Sequence, residues 1–251
     1  MTRWFVLLVT LAALVLGLWQ LSRAREFQLF GRLVARVETD RPLVALTFDD
    51  GPTPGYTDQI LGILAGRGVR ATFFVTGREA TEHPAETAAL VAAGHALGNH
   101  SWSHQRMVLM RPAEVEQELA RTDAAIRAAG YEGPLPFRPP YGKKLFSLPW
   151  VLAQQDRLTV MWDVEPDSDP NAGAERIARA AIDQARPGSI ILLHAMYDSR
   201  AATRAALPAI IDGLRARGFQ LVTLPDLLAA GGIAAGPTPP SGAVAPGPSA
   251  P

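Results

Sequence analysis

The sequence contains no cysteine. Disulfides and thiolate metal sites are therefore excluded, and any metal ion must be held by histidine, carboxylate and water. Net charge is missing as well, because 24 Lys and Arg balance 24 Asp and Glu, and the positive residues are scattered without a basic stripe. No electrostatic field argues for a nucleic-acid partner. No internal repeat is present. Histidine is scarce, with five residues in the chain, yet His95, His100 and His104 fall within ten positions of one another. Charge is wholly absent from residues 231–251, which are nearly all Gly, Pro, Ala and Ser. Such a stretch buries too little apolar surface to order itself, and a flexible tail is expected there.

Long apolar runs are also few, and one stands out. Residues 4–21 are interrupted only by Thr10 and Gln20. At about 18 residues the run is long enough to cross a bilayer core as a helix. Ser22-Arg23-Ala24 is the competing signal-peptide cleavage site, but Arg23 and Arg25 make it a poor one, so residues 1–24 are expected to be an uncleaved anchor. Arg3 before the run and Arg23 and Arg25 after it do not fix the orientation. The N-terminal position favours a signal-anchor with the remainder exported across the inner or plasma membrane. Residues 25–42, with a Phe27, Leu29, Phe30 patch, read as a connector.

The rest of the chain is organised around residues 44–52, VALTFDDGP. A short buried-strand pattern ends on Asp49 and Asp50 and is stopped by Gly51 and Pro52. Paired acids at the end of a buried strand are costly unless a cation, a partner or chemistry holds them. Further strands are expected at 71–76, 95–99, 135–138, 158–164, 189–193 and 219–223. Helical periodicity falls between them, at 56–66, 84–93, 112–129, 174–185, 201–217 (interrupted at Pro208) and 225–230. Seven strands alternating with helices imply a parallel sheet, closed as a βα barrel or left open and doubly wound. In a barrel the chemistry gathers at the C-terminal strand ends. Asp49, Asp50, His100, Arg138, Asp163 and His194 all fall at or near such ends.

His100-Ser-Trp-Ser-His104 sets two imidazoles four residues apart, a spacing that puts both rings on one face of a helical turn. With Asp50 they form a two-His, one-Asp set suited to zinc or a related divalent ion with open positions. His95 instead reads as a hydrogen-bonded core histidine. Lys143 and Lys144 read as a solvated loop.

Four motifs then stand in order: TFDDGP at 47–52, HSWSH at 100–104, RPPYG at 138–142 and ILLH at 191–194. In order and spacing they resemble the polysaccharide deacetylase (NodB-homology) family over roughly residues 43–228, within an expected catalytic domain of residues 43–230. The resemblance implies a distorted (β/α) barrel of about seven strands and metal-dependent removal of N- or O-acetyl groups from polysaccharides. It implies Asp49 as general base and Asp50, His100 and His104 as ligands of one divalent ion, zinc first, with cobalt or nickel as alternatives. Arg138 would orient Asp49, Tyr141 would lend its backbone N–H to the oxyanion, and His194 would be the general acid. Leu192 and Leu193 would house the acetyl methyl. One departure is Pro170 where members of the family often carry a Trp after the Asp that tethers the acidic His, which leaves Asp169 or Asp167 as the tether. The partners implied are an acetylated glycan and, through residues 1–24, a membrane. Two rivals stay open: a hydrolase using the same centre on another amide or ester, and an inactive glycan-binding homologue.

Overall fold

Six of the seven expected strands form in the computed structural model, which describes residues 2–236. In chain order the strands are β1 (Leu33–Val34), β2 (Leu43–Asp49), β3 (Thr72–Val75), β4 (Ala96–Asn99), β5 (Thr159–Val160), β6 (Ile190–His194) and β7 (Gln220–Val222). The helices are α1 (Thr2–Ser22), α2 (Tyr56–Ala65), α3 (Gly77–Glu82), α4 (Pro84–Ala92), α5 (Pro112–Ala128), α6 (Ser147–Gln154), α7 (Ala174–Gln184), α8 (Ala201–Ala216) and α9 (Leu224–Ala230).

Every residue of β2 is buried, as its mostly apolar run requires in a sheet covered on both faces. It pairs in parallel with β3, which pairs with β4. On its other side it pairs with β6 and, near its start, with β7. Alternate β2 residues serve different cores, Val44, Leu46 and Phe48 one, Leu43 and Ala45 another, as a period of two demands. The molecule is thus an α/β fold with parallel strands.

Residues 135–138 form no strand. Phe137 alone makes parallel bridges, to Asn99 and to Thr159, because Pro134, Pro136 and Pro139 supply no N–H for a ladder. The run 158–164 pairs as β5 with β1 over two residues and forms a single bridge to β6, at Val164. β1 itself lies within the expected connector.

α8 runs through Pro208 without interruption. Its buried stripe of Leu207, Ile210, Ile211 and Leu214 packs beside α7 and outweighs the local cost of about 3 kcal/mol. At the other end of the chain, Ile233 and Ala235 pack against the core and Arg32 donates to the Ala234 carbonyl. The body therefore extends through Gly236, past the expected start of the tail at Gly231. The rest of that tail, 237–251, lies outside the described residues. α1 is almost wholly exposed and is long and apolar enough to cross a membrane, a test that a signal sequence also passes.

Candidate active site

Parallel register brings the functional strand ends together. Asp49 is the Cα partner of His194, and Val75 is that of Asn99, the residue before His100. β2 ends at Asp49, and Asp50 and Gly51 follow with φ of 74° and 69°. That left-handed pair reverses the strand's alternation, so both carboxylates enter one cleft. A Cβ on Gly51 would lie 2.7 Å from the Met196 side chain, so only glycine fits the turn. Glu79 locks it, its Oε2 accepting from the Gly51 N–H at 2.8 Å and from the Thr76 hydroxyl at 2.8 Å.

Asp49 and Arg138 are both buried. Arg138 Nη1 donates to Asp49 Oδ1 at 2.6 Å and to Thr47 Oγ1 at 2.8 Å, and Nη2 donates to the Met161 carbonyl at 3.2 Å. The guanidinium lies 4.0 Å over the Phe74 ring. Phe74 in turn sits against Gly98, where a Cβ would come within 2.5 Å of the ring. Burial works against ionised Asp49, but Arg138, His100 and His194 together hold its pKa below the usual value.

The two imidazoles do not share a helical turn. Residues 100–104 form a loop in which Ser101 and His104 take φ of 65° and 56°. The loop converges on Asp50 because α5 holds it. Glu118 Oε2 accepts from the Trp102 and Ser103 N–H groups at 2.9 and 2.8 Å, and Oε1 accepts from the Ser103 hydroxyl at 2.8 Å. Asn99 Oδ1 accepts from the Ser101 N–H, while its amide donates to Asp123.

His100 Nδ1 lies 2.8 Å from the Arg138 carbonyl oxygen. That oxygen only accepts, so Nδ1 carries the proton and Nε2 presents a lone pair. His100 Nε2 is 3.8 Å and His104 Nε2 3.2 Å from Asp50 Oδ1. Burial first, and then His100, keep the His104 pKa low, which favours the neutral ring a metal needs. One ligand atom each from Asp50, His100 and His104 lie within 4.8 Å of one another. Asp50 Oδ1 is buried without a hydrogen-bond partner. An orphaned carboxylate oxygen facing two imidazole lone pairs fits a divalent cation.

His194 faces the centre from β6. Of the two loop carboxylates, Asp167 reaches it, with Oδ2 2.7 Å from the His194 N–H and Oδ1 3.3 Å from Nδ1. Thr203 also donates to Asp167. Burial opposes the charged imidazole, but the Asp167 hydrogen bond and charge, with Asp49 and Asp50, push its pKa up to about 9. Asp169 lies elsewhere, bonded to the Asn171 N–H and paired with Arg176 at 2.8 Å, because its side chain stays at the surface of the loop.

Leu193 is also displaced from its expected place. It belongs to the core on the same side as its register partner Phe48, while Leu192 lines the cleft, since β6 alternates and His194 shares a face with Leu192. Asp163 is not at this end either: it binds the Ser189 hydroxyl and the Ile190 N–H at the start of β6. Tyr141, at φ 57°, packs against His104 with ring centroids 4.8 Å apart and the planes tilted by 51°. The cleft, about 420 Å³, is also lined by Arg23, Arg25 and Lys143. Lys144 is buried instead of solvated, its Nζ bonded to the Ala24 carbonyl. His95 is a core histidine that accepts from the Ala71 N–H at 3.0 Å, with its pKa lowered by burial to about 4.

Glu79 and Glu118 are the functional supports that sequence reasoning missed. Thr76–Glu79 carries a capping-box spacing that could have found the first. Glu118 reads from sequence as one of several helix-surface acids, and nothing singles it out.

Residues 36–157 match the family described as polysaccharide deacetylase. A chitooligosaccharide deacetylase of Sinorhizobium fredii is 37% identical over 206 residues, covering 78% of this chain and 96% of the relative. The solved peptidoglycan N-acetylglucosamine deacetylase Bc1960 superposes with a TM-score of 0.73 at 32% identity, covering 78% of this chain and 92% of that one. A family 4 acetyl xylan esterase from Clostridium thermocellum, solved with a cobalt ion, gives 0.71 at 36% identity, covering 77% and 94%. With nearly the whole length of such relatives spanned, this chain belongs to the polysaccharide deacetylase family.

Proposed function

We propose that this chain is a metal-dependent hydrolase that removes acetyl groups, N-acetyl first, from a cell-envelope or extracellular polysaccharide. The observation that carries the reading is the division of two adjacent acids. Asp50 turns an unpartnered oxygen toward two imidazoles, while Asp49 is taken by Arg138. Asp50, His100 and His104 would hold the ion, zinc by donor set, with cobalt or nickel as alternatives. When bound there, a divalent cation supplies Lewis acidity toward an amide carbonyl and toward water.

The chain's own residues do the rest. Asp49, kept ionised by Arg138, takes the proton of the attacking water. The Tyr141 N–H is the donor assigned to the developing oxyanion. His194, held by Asp167 with Nε2 toward the cleft, gives its proton to the departing sugar nitrogen. Leu192 supplies an apolar wall for the acetyl methyl. For the fold, we read the single bridges at Phe137 and Val164 as the seams of a distorted (β/α) barrel. For location, we read α1 as a single span that holds the catalytic body outside the cytoplasm.

Acetate release from acetylated glucosamine oligomers, measured before and after chelation, tests the activity. Loss on chelation and recovery with zinc or cobalt are expected. Asp49→Asn should keep metal binding and lose about 10²–10⁴-fold in kcat, the worth of a general base. Asp50→Asn should lose metal affinity and recover partly with excess ion. Chelation without effect would end the metal reading, and recovery of Asp49→Asn on adding metal would reverse the two roles.

A further inference from the structure

The anchor does not merely precede the catalytic body, because its exit builds one wall of the cleft. The Lys144 N–H donates to the Ser22 carbonyl at 2.9 Å, and the Lys144 ammonium binds the Ala24 carbonyl. Arg25 is paired with Glu165 at 2.5 Å and lies over Trp162. Residues 22–25 are thereby fixed to the loops that carry Tyr141 and Asp167.

Three further cations meet at this wall. Arg23 lies 4.5 Å and Lys143 5.5 Å over the ring of Trp19, and Arg106 lies 4.7 Å over the ring of Tyr141. Tyr141 itself packs against His104. Among the described residues, no carboxylate pairs with Arg23, Arg106 or Lys143, whereas Arg25 beside them has Glu165. Burial first, then Arg23 and Arg106, hold the Lys143 ammonium below the ordinary lysine range. Like charges gathered around exposed aromatic rings repel one another unless an anion joins them.

We propose that Arg23, Lys143 and Arg106 form an anion-reading subsite of the cleft, which takes a carboxylate or phosphate borne on the glycan next to the sugar being deacetylated. The inference rests on the glycan deacetylase reading and deepens it. Two of the three cations line the same cleft as Asp50 and His104, which points them at substrate. A bilayer headgroup is the rival source of negative charge, since the same residues lie at the C-terminal end of α1. The cations act through binding and take no part in the proton transfers, so their loss should appear in affinity and leave kcat alone.

Binding separates this from the activity itself. The metal-loaded full-length chain carrying Asp49→Asn, in phosphatidylcholine nanodiscs, would be titrated with three oligomers by calorimetry. These are a neutral N-acetylglucosamine tetramer, its 1-phosphate, and an alternating N-acetylglucosamine–N-acetylmuramic acid tetramer. At low salt at least one anionic oligomer should bind about 3–10-fold more tightly than the neutral one. Arg106→Gln with Lys143→Gln, and separately Arg23→Gln, should remove that advantage and leave the neutral oligomer unchanged. Salt at about 0.5 M should act in the same way. Equal binding of all three, no binding of either anionic oligomer, or an advantage that survives the substitutions would overturn the subsite. So would substitutions that alter only the binding of phosphatidylglycerol vesicles, which would assign the cations to the membrane. Failure of the unsubstituted, metal-loaded enzyme to release acetate would sink the deacetylase reading instead, and the binding comparison would still judge the subsite.

Discussion

Asp167 shows how one carboxylate sets the working range of its neighbour. It accepts from the His194 N–H, lies 3.3 Å from Nδ1, and is fixed by the Thr203 hydroxyl. His194 stays protonated up to about 9, above the ordinary value near 6.5. A raised histidine pKa stabilises the fold fully below about 6.5, and the contribution is lost as pH rises through about 9. A general acid is likewise competent below its pKa and lost above it. A cation at Asp50 offsets that residue's share of the upward push, so the alkaline limb of kcat/KM in the loaded enzyme should lie at or below about 9. Asp167→Asn removes the largest upward contribution, and its alkaline limb should move to lower pH. The loss should be smaller at pH 6 than at pH 9, where it should reach about 10²-fold, the low end of a general acid's worth. A pH–rate profile parallel to that of the parent enzyme would show that His194 is not the acid. Asp169→Asn, far from the imidazole, is the control.

Among the elements, α5 matters most after β2, because it organises a loop that has no regular structure of its own. Ser101 and His104 both occupy left-handed backbone, which costs non-glycine residues on the order of 1 kcal/mol or more each. Three hydrogen bonds from residues 102 and 103 to Glu118 hold the loop in place. Glu118→Gln keeps the size of the side chain but replaces one accepting oxygen with a donor aimed at a donor. Metal affinity, followed by competition with a chromophoric chelator, should fall about 10–100-fold, as for other residues that orient metal ligands. Glu116→Gln, exposed on the same helix, should change nothing. Unaltered affinity in the Glu118 variant would assign the loop's geometry to the Asn99–Ser101 contact alone. This dependence was not legible in the sequence. The spacing of His100 and His104 pointed to a shared ion, but by way of a helical turn the chain does not make. Local spacing singled out the two imidazoles, while Glu118, well along α5, sets the geometry of their loop. Asp167 and Leu192 were obscured for related reasons. The tether depends on how a proline-flanked loop folds, and the cleft-facing leucine depends on the register of β6 against β2.

At the scale of the whole molecule, the buried runs of β2, β3, β4 and β6 were legible because a short, mostly apolar run has few other fates. The pieces that join them were not. Phe137 makes only single bridges between prolines, and β1 is two residues long, so neither leaves a periodic signal. The exit of α1 was hidden too, because Lys144 reads as a surface residue until its ammonium is seen on the Ala24 carbonyl. That contact bears on how the protein is held. A helix of 21 residues spans about 31 Å at 1.5 Å per residue, enough for a hydrocarbon core. Trp4 near its start and Trp19 near its end are exposed, as interfacial anchors are. Ser22 is buried against the body and Ala24 is bonded to Lys144, so α1 and the cleft are joined without a slack linker. Fractionation should therefore find the full-length protein in the membrane pellet, resistant to high salt and released by detergent, with its N-terminus intact. Protease added outside the inner membrane should reach the catalytic body. A soluble form beginning at Arg25 would show that α1 is a removed signal, and a body protected from external protease would place the cleft on the cytoplasmic side.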